Sequence, residues 1–268
     1  MVSESCKKRF GNIMMEDMEL VAQEEIAPRI YSMILKGEMV EQMLPGQFLH
    51  IRVPDGAKLL RRPISISEID HKTQTCRLIY RIEGGGTAIF SQLPIGSKLS
   101  VMGPQGNGFD LTNLGHGQKA LIIGGGIGVP PLVQVAKQLH QQGVEVQVVV
   151  GFATKEAVIL EEELSQVAHV TVTTDDGTYG TKGYVSTIVD QMDQEFDAVY
   201  SCGAPGMLKY VNTKFHDHPR AYISMESRMA CGMGACYACV VHLENASQAA
   251  NKRVCEDGPV FETGTIVM

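Results

Sequence analysis

Four cysteines near the carboxyl end of the sequence constrain the fold of this chain more than any other feature. Cys231, Cys236 and Cys239 are separated by four and then two residues, and Cys255 follows after a longer gap. The spacing C-x4-C-x2-C…C is typical of plant-type iron–sulfur proteins, in which four thiolates hold a [2Fe–2S] cluster. Glycines within the first gap let the backbone pass close to inorganic sulfides. The sequence therefore predicts a loop that wraps such a cluster.

Two other uses of the cysteines fit the sequence less well. Structural zinc sites usually carry C-x2-C pairs, so this triplet with a distant fourth cysteine is atypical of zinc. Disulfides are disfavoured, since the total of seven cysteines is odd and residues 1–12 lack the apolar core of an export signal. Of the remaining cysteines, Cys6 and Cys76 are expected to be ordinary thiols. Unpaired thiols and an iron–sulfur site are typical of the cytoplasm, so we expect a cytoplasmic location.

The composition is that of a globular protein with an acidic balance. The 268 residues suffice for two compact domains and a small appendage, and the net charge is −7. Such a chain, without clustered Lys and Arg, is unsuited to a nucleic-acid backbone. No apolar run approaches the roughly 20 residues that a membrane-spanning helix requires. We therefore expect neither nucleic acid nor a membrane as a partner.

The apolar pattern predicts a β part followed by an α/β part. In residues 15–112, short apolar segments alternate with Gly, Pro and polar turns, which is typical of a small barrel or sandwich. From Lys119, strands alternate with helices, which predicts a parallel α/β sheet, and the cysteine-rich tail begins after about Tyr222. The predicted strands are Glu19–Glu25, Ile30–Leu35, Gln47–Val53, Ile64–Ile69, Cys76–Arg81, Ala120–Ile123, Glu145–Val150, His169–Thr173 and Asp197–Ser201, and the predicted helices are 84–93, Val129–Gln142, Glu161–Gln166 and Val185–Gln191.

A glycine turn at residues 124–128 lies between a predicted strand and a predicted helix. In this position, backbone N–H groups and a helix N-terminus can face a diphosphate. The dinucleotide fingerprint is incomplete, because Val129 stands where its third glycine belongs. The turn alone also fits tight helix packing without a ligand, but beside an iron–sulfur tail it favours a nucleotide site.

Three motifs in the β part can serve a flavin nucleotide. Arg62 begins a strand, and its permanently charged guanidinium can pair with a diphosphate, although it also fits a solvated strand edge. Gly86 and Thr87 start a helix, where phosphate can bind. Tyr80 can stack on an aromatic ring, although a lone strand tyrosine more often packs in the core.

Cys202 and Gly203 end a predicted strand of the α/β part. Ligands of open parallel sheets bind at the carboxyl ends of the strands, so Cys202 can face a nicotinamide, but it equally fits a small buried core residue. Asp175 and Asp176 also follow a strand and could bind ribose hydroxyls, although a solvated turn is the better interpretation. No arginine follows the strand at 146–150 to bind a 2′-phosphate, which favours NAD over NADP, and Lys155 leaves this choice open.

The order of these motifs resembles the ferredoxin–NADP reductase superfamily over nearly the whole chain. Arg-Pro-Ile-Ser and Gly-Gly-Gly-Thr are followed by the glycine turn, Cys-Gly-Ala-Pro and the four cysteines. The tail, together with Gly-Pro-Gln-Gly-Asn-Gly-Phe at 103–109, is similar to the electron-transfer subunits of the NAD-dependent dihydroorotate dehydrogenase B family. The four-cysteine motif is the specific part of this resemblance.

The resemblance implies three units: an FAD-binding β-barrel at 1–114, a Rossmann-like NAD-binding domain at 115–222 and a [2Fe–2S] subdomain at 223–268. The implied catalytic role is positioning of cofactors, without a general acid or base. The implied FAD residues are Arg62, Pro63, Ile64, Ser65, Ile79, Tyr80, Arg81, Gly86 and Thr87; the NAD(H) residues are Gly124, Gly125, Gly126, Gly128, Cys202 and Gly203; and the cluster ligands are Cys231, Cys236, Cys239 and Cys255.

The function implied by the resemblance is electron transfer in pyrimidine (UMP) synthesis. A catalytic subunit with FMN oxidises dihydroorotate, and electrons pass through the [2Fe–2S] cluster and FAD to NAD+, within a heterotetramer. Two relatives have the same layout: the small subunit of NADH-dependent ferredoxin:NADP oxidoreductase, and diaphorase-like subunits of sulfhydrogenases or sulfite reductases. A nucleotide-binding regulatory protein with a structural zinc tail is the non-enzymatic alternative.

Overall fold

The computed structural model describes residues 13–192, 195–244 and 250–268. Cys6 and the amino-terminal segment considered above as an export signal lie outside the described residues. Of the helices in the described ranges, none has the length and apolar character that crossing a membrane requires.

A closed antiparallel barrel forms the first half of the chain. Its strands follow one another around the barrel in the order β1-β2-β5-β4-β3-β6, and pairing of β1 with β6 closes it. The side chains that alternate inward, such as Leu20, Leu35, Leu49 and Leu78, form its core. The strands are β1 Met14–Ala27, β2 Ile30–Lys36, β3 Phe48–Ile51, β4 Arg62–Asp70, β5 Thr75–Arg81 and β6 Lys98–Gln105, with helix α1 at Gly85–Phe90.

A seven-stranded sheet with helices on both faces forms the second half. Its order is β10-β9-β8-β7-β11-β12-β15, and all neighbours are parallel except the last pair. Alternate residues of β7 and β8 belong to two separate apolar clusters, one on each face of the sheet. The strands are β7 Lys119–Gly125, β8 Glu145–Phe152, β9 His169–Thr174, β10 Thr181–Lys182, β11 Ala198–Cys202, β12 Ala221–Ser224 and β15 Val260–Glu262, and the helices are α2 Pro130–Gln141, α3 Glu161–Ser165, α4 Val185–Val189 and α5 Pro205–Lys214.

The cysteine-rich tail is not a separate layer beside the sheet. It contains a hairpin of β13 Val240–His242 and β14 Asn251–Arg253. It then returns to the sheet, where β15 pairs antiparallel with β12. The predicted parallel sheet is therefore a mixed sheet, whose antiparallel edge strand comes from the tail.

The predicted elements lie where the sequence places them, but some elements were missed. Strands β6 and β12 and helix α5 were not predicted, although the barrel cannot close without β6. In β6, glycine and proline at 103 and 104 interrupt the residues that favour strands. Helix α5 begins directly after Ala204 with Pro205 in its first turn, a common place for proline.

A group of charged side chains joins the barrel to the sheet. Arg77 of β5 donates to Glu68 of β4 at 2.8 Å and to Glu163 of α3 at 2.8 Å. Lys137 of α2 also pairs with Glu68. Burial opposes the charge on Glu68, but hydrogen bonds from Lys137 and Arg77 outweigh it and lower the pKa of Glu68 below 4.5. The ionised carboxylate therefore holds cations from both halves of the molecule.

Replacing Glu68 tests this contribution to stability. Glu68→Gln keeps the side-chain shape but loses the charge, and we expect a destabilisation of about 1.5–3 kcal/mol at pH 7. Because the folded pKa is depressed, the wild-type advantage is complete above pH 4.5 and is lost as the pH falls through the folded pKa. Thermal melts of the cofactor-loaded protein at several pH values measure it. Glu19→Gln, which removes an exposed pair with Lys98, is the matched control. A stability gap that is the same at pH 4 and pH 7 would contradict the assignment.

Candidate functional site

A cleft lies between the barrel and the carboxyl ends of the sheet strands. Its volume of about 1580 Å³ exceeds the roughly 300–1,000 Å³ of ordinary ligand pockets. Such a volume accommodates two nucleotide cofactors. Most of the nucleotide-binding residues predicted from the sequence line this cleft: Arg62, Pro63, Ile64, Ser65, Ile79, Tyr80, Arg81, Gly86, Thr87, Gly125, Gly126, Gly128 and Gly203.

On the barrel side, β4 brings Arg62 over the start of α1. A Cβ atom at Gly86 would lie 2.6 Å from the Arg62 Nε atom, so glycine permits the guanidinium to approach the backbone. The Thr87 hydroxyl caps the helix, because it accepts from the N–H groups of Glu83 and Gly84. Lys58 extends past Gly85 with its Nζ atom 3.4 Å from the position of a Cβ. This second cation was missed by the sequence analysis.

Strand β5 supplies the neighbouring wall of the cleft. Tyr80 is buried, stacks on Tyr31 with the ring centroids 6.0 Å apart and donates its hydroxyl to Gln23 at 3.2 Å. Burial raises the pKa of the Tyr80 phenol, so it stays protonated. Ile79 is also buried, whereas Arg81 is exposed and pairs with Glu83. This wall is buried at Ile79 and Tyr80 and charged at its outer end.

On the sheet side, the glycine turn packs against the end of β11. Gly128 is the point of closest approach, because a Cβ there would lie 2.5 Å from the Cys202 carbonyl oxygen. Gly126 has a positive φ of 52°. Gly124 is buried under Val129 and Leu132 and is not among the residues lining the cleft. The turn therefore presents the backbone of 125–128 to the cleft.

Cys202 is buried, and it does not line the cleft as its neighbour Gly203 does. Burial raises the pKa of its thiol to about 12. The segment that begins at the end of β12, residues 224–229, was not predicted and borders the same space. Glu226 is exposed to the open cleft, but protein atoms around its carboxyl partly desolvate it and raise its pKa. The sequence gave no reason to assign residues 224–229 to a site, because the segment is polar and follows a strand that was not predicted.

The four cysteines of the tail interact with one another. Cys231 interacts with Cys236, and Cys255 interacts with both Cys239 and Cys231. Within the described ranges, no three His, Cys, Asp or Glu side chains, these cysteines included, are grouped as a site for a single metal ion. By type and number, the four thiols fit the donor set of a [2Fe–2S] cluster, in which each iron takes two thiolates.

The loop backbone is oriented towards the cysteine sulfur atoms. Met233 donates its N–H to Cys231 Sγ at 3.4 Å, and Gly234 donates to Cys255 Sγ at 3.1 Å. Burial opposes ionisation of Cys231, but loop N–H groups and Cys236 outweigh it and lower the pKa to about 7. Burial and contact with Cys239 raise the pKa of Cys255 to about 12. Hydrogen bonds from backbone N–H groups, such as those of Met233 and Gly234, stabilise the thiolate form of a cysteine.

Arg253 holds this loop against the β13–β14 hairpin. Its guanidinium donates to the Gly234 carbonyl at 2.8 Å and pairs with Glu256 at 2.6 Å and Asp257 at 3.1 Å. It also lies over the Tyr237 ring, 5.2 Å from the centroid. The loop with three cysteines is thus fixed to the segment that carries the fourth.

One wall of the cleft and two of the cysteines share a buried apolar cluster. Phe48 and Met229 line the cleft, and they belong to the same buried cluster as Cys239 and Cys255. Asn107, from the segment at 103–109, donates its side-chain N–H to the carbonyls of Glu256 and Asp257 at 3.1 Å. The end of the barrel is therefore in direct contact with the segment that follows Cys255.

Family models match three consecutive parts of the chain. Residues 17–109 match an oxidoreductase FAD-binding domain, and residues 122–213 match an oxidoreductase NAD-binding domain. Residues 226–267 match the iron–sulfur cluster binding domain of dihydroorotate dehydrogenase B. The predicted cofactors FAD, NAD and an iron–sulfur cluster, and the predicted fold class, are confirmed.

Similar proteins cover nearly the whole chain. A Streptococcus mutans protein named dihydroorotate dehydrogenase B (NAD(+)), electron transfer subunit, is 67% identical over 96% of this chain and 99% of its own length. The Enterococcus faecalis protein of that name is 47% identical over 94% and 98%. The solved structure of NADH-dependent reduced ferredoxin-NADP oxidoreductase has a TM-score of 0.82 at 26% identity and covers 94% of this chain and 90% of its own. This oxidoreductase subunit, with its FAD, NAD and iron–sulfur domains, belongs to the family of dihydroorotate dehydrogenase B (NAD(+)) electron transfer subunits.

Proposed function

We propose that this chain carries electrons from the FMN of a dihydroorotate-oxidising partner subunit to NAD+, through its [2Fe–2S] cluster and FAD. The observation that carries the proposal is the packing of Gly232, next to Cys231, against His50 of β3, the strand whose Phe48 lines the cleft. A cluster held by the four cysteines would be a one-electron centre near the space for two nucleotides. When bound, a flavin exchanges a hydride with nicotinamide and single electrons with an iron–sulfur cluster.

We propose that FAD lies along β4, β5 and the start of α1. Arg62, whose guanidinium lies against Gly86, would pair with the diphosphate, and Lys58 adds charge there. Ser65 would face the edge of the flavin ring. The remaining proposed FAD residues are Pro63, Ile64, Ile79, Tyr80, Arg81 and Thr87.

We propose that NAD(H) lies over the glycine turn, with the nicotinamide near Gly203. The backbone of 125–128 would face the diphosphate. Gly124 and Cys202 would act from beneath this surface, since both are buried. Lys155 lies over the Tyr179 ring, 5.7 Å from the centroid, and Asp175 lines the cleft. The Asp175 carboxylate could bind the ribose hydroxyls of NAD. Lys155 contacts the Tyr179 ring instead of standing free for the 2′-phosphate of NADP. Both features support NAD rather than NADP as the substrate.

We propose that the cysteine loop faces the partner subunit. Cys236 is exposed, and the neighbouring Tyr237 is 58% exposed and has a positive φ of 56°. An exposed aromatic ring beside a cluster ligand suits an interface. The proposed partner carries FMN, the proposed assembly is a heterotetramer, and the proposed location is the cytoplasm, with no nucleic acid or membrane partner.

We propose the unit boundaries 1–114, 115–222 and 223–268. The change from barrel to sheet lies between Gln105, where β6 ends, and Lys119, where β7 begins. The third unit would contribute strand β15 to the sheet of the second.

A second candidate function is that of the small subunit of an NADH-dependent ferredoxin:NADP oxidoreductase. The TM-score of 0.82 with the solved structure of that name supports it. The identity of 26% is far below the 67% shared with the Streptococcus mutans subunit. The partner experiment below separates the two candidates.

Loss of one cluster ligand should remove the cluster. We expect that replacing Cys231, Cys236, Cys239 or Cys255 by Ser abolishes most visible absorbance of the iron–sulfur centre, because each iron needs two thiolates. Iron and sulfide analysis of the purified protein measures it. Cys76→Ser, at a buried thiol of the barrel core, should leave two irons per chain. Zinc in place of iron in the wild-type protein would contradict the proposal.

Replacing Arg62 should weaken FAD binding and spare the cluster. We expect Arg62→Gln to raise the FAD dissociation constant about 10- to 100-fold, since a charge-assisted hydrogen bond to a diphosphate is lost. Fluorescence of released flavin measures the constant, and iron content serves as the internal control. Lys98→Gln changes an exposed cation of β6 that pairs with Glu19 and does not line the cleft, and it should have no effect. Equal flavin retention in all three proteins would refute this role.

The partner should be required for dihydroorotate oxidation. The isolated chain should pass electrons from NADH to artificial acceptors, yet show no dihydroorotate:NAD+ activity, because every described part of it is assigned to another role. Adding an FMN-containing dihydroorotate dehydrogenase subunit from the same source should restore activity with NAD+ and much less with NADP+. Activity of the chain alone, or restoration by ferredoxin instead, would favour the second candidate. The mass of the active complex tests the heterotetramer.

A further inference from the structure

His50 and Gln105 form an unusual buried polar pair between the barrel and the cysteine loop. On β3, Leu49 and Ile51 point into the barrel core, whereas the alternate residue Phe48 packs on the cluster side. His50 shares the outward face with Phe48. Gln105 ends β6 and pairs with β3 at Phe48. Both His50 and Gln105 are fully buried.

The polar atoms of this pair have no hydrogen-bond partner among the described residues. They are both ring nitrogens of His50 and both amide atoms of Gln105. Buried side-chain polar atoms are paired in the large majority of cases, because leaving them unpaired is costly. Four such atoms at one place are therefore a sign of a ligand rather than of packing.

The pair faces the loop between the first two cysteines. A Cβ atom at Gly232 would collide with His50 Nδ1 and would lie 2.8 Å from Gln105 Oε1. Gly232 also has a positive φ of 69°. Both polar groups thus abut the backbone next to Cys231.

His50 is in a neutral state. Burial and then the positive charge of Arg61 lower the pKa of its imidazole to about 4. Arg62 adds to this effect, and the Arg61 guanidinium donates to the His50 carbonyl at 3.2 Å. A neutral imidazole offers one N–H, and rotation of the Gln105 amide can turn its NH₂ group to the same point.

We propose that His50 and Gln105 donate hydrogen bonds to the sulfur atoms of the cluster and thereby raise its reduction potential. Hydrogen bonds to the sulfurs are among the factors that set the potential of such clusters. An electron added to the cluster increases the negative charge on sulfur, and the donors stabilise that charge. The protons stay on nitrogen, so one electron enters and no bond forms or breaks. This inference rests on the proposed ligation by the four cysteines.

Redox titration of the purified, cluster-loaded chain tests the proposal. The variants are His50→Leu and Gln105→Met, which remove the donors at similar volume, and His50→Asn, which keeps an N–H near the Nδ1 position. The control is Leu49→Val, on the opposite face of the same strand. The midpoint potential is followed by the EPR signal of the reduced cluster, and iron content is measured for each protein.

We expect each donor removal to disfavour reduction about tenfold, which is about 59 mV for one electron. His50→Asn should restore most of the shift, and Leu49→Val should not change the potential. Equal potentials in wild type, His50→Leu and Gln105→Met would overturn the proposal. A shift of the same size in Leu49→Val would also overturn it. If one variant takes up no iron, the other decides.

Loss of iron from both donor variants, but not from Leu49→Val, would assign the pair to loop folding and overturn the tuning role. A wild-type chain that holds no iron–sulfur cluster would instead contradict the proposed function. Failure of the inference and failure of the proposed function are thus distinguishable by the iron content of the wild type.

Discussion

Contact between strand β3 of the barrel and the cysteine-rich tail is the constraint on which the rest of the structure depends. Phe48 is almost completely buried, and it borders the cleft on one side and the apolar cluster containing Cys239 and Cys255 on the other. Electron transfer between two centres requires that they be close. This shared apolar cluster joins the nucleotide space to the buried cysteines Cys239 and Cys255.

The tail is held in this place by two separate parts of the chain. Strand β15 extends the sheet beside β12, and Asn107 from the end of the barrel binds the carbonyls of Glu256 and Asp257. Gly106 makes this approach possible, because a Cβ there would collide with Pro259. The segment 103–109, which the sequence resemblance singled out together with the tail, is therefore the joint between the barrel and the tail.

Local signals explain which parts could be predicted from the sequence. The strand periodicity and turn residues of the barrel, the glycine turn and the cysteine spacing each depend on a few adjacent residues. Strand β15 depends on a partner that lies some forty residues away in the chain, and no local pattern specifies such pairing. The same holds for Lys58, Glu226 and the pair His50 and Gln105. Their roles arise from contacts across the cleft or across the barrel surface. In the sequence, His50 could therefore be identified only as one residue of a predicted strand.

Glycine at three positions shows how the sites are assembled from backbone contacts. Arg62 lies on Gly86, the Cys202 carbonyl on Gly128, and His50 on Gly232. These contacts belong to the proposed FAD, NAD and cluster sites respectively, and in each a Cβ atom would be closer than real side chains tolerate. Two elements thus meet at van der Waals distance where a cofactor needs an accessible backbone. A side chain at position 128 would push the turn away from the backbone of β11, whereas one at position 86 would displace the Arg62 guanidinium. Alanine at one of these positions therefore perturbs one site by geometry while the charges and ligands of the others remain.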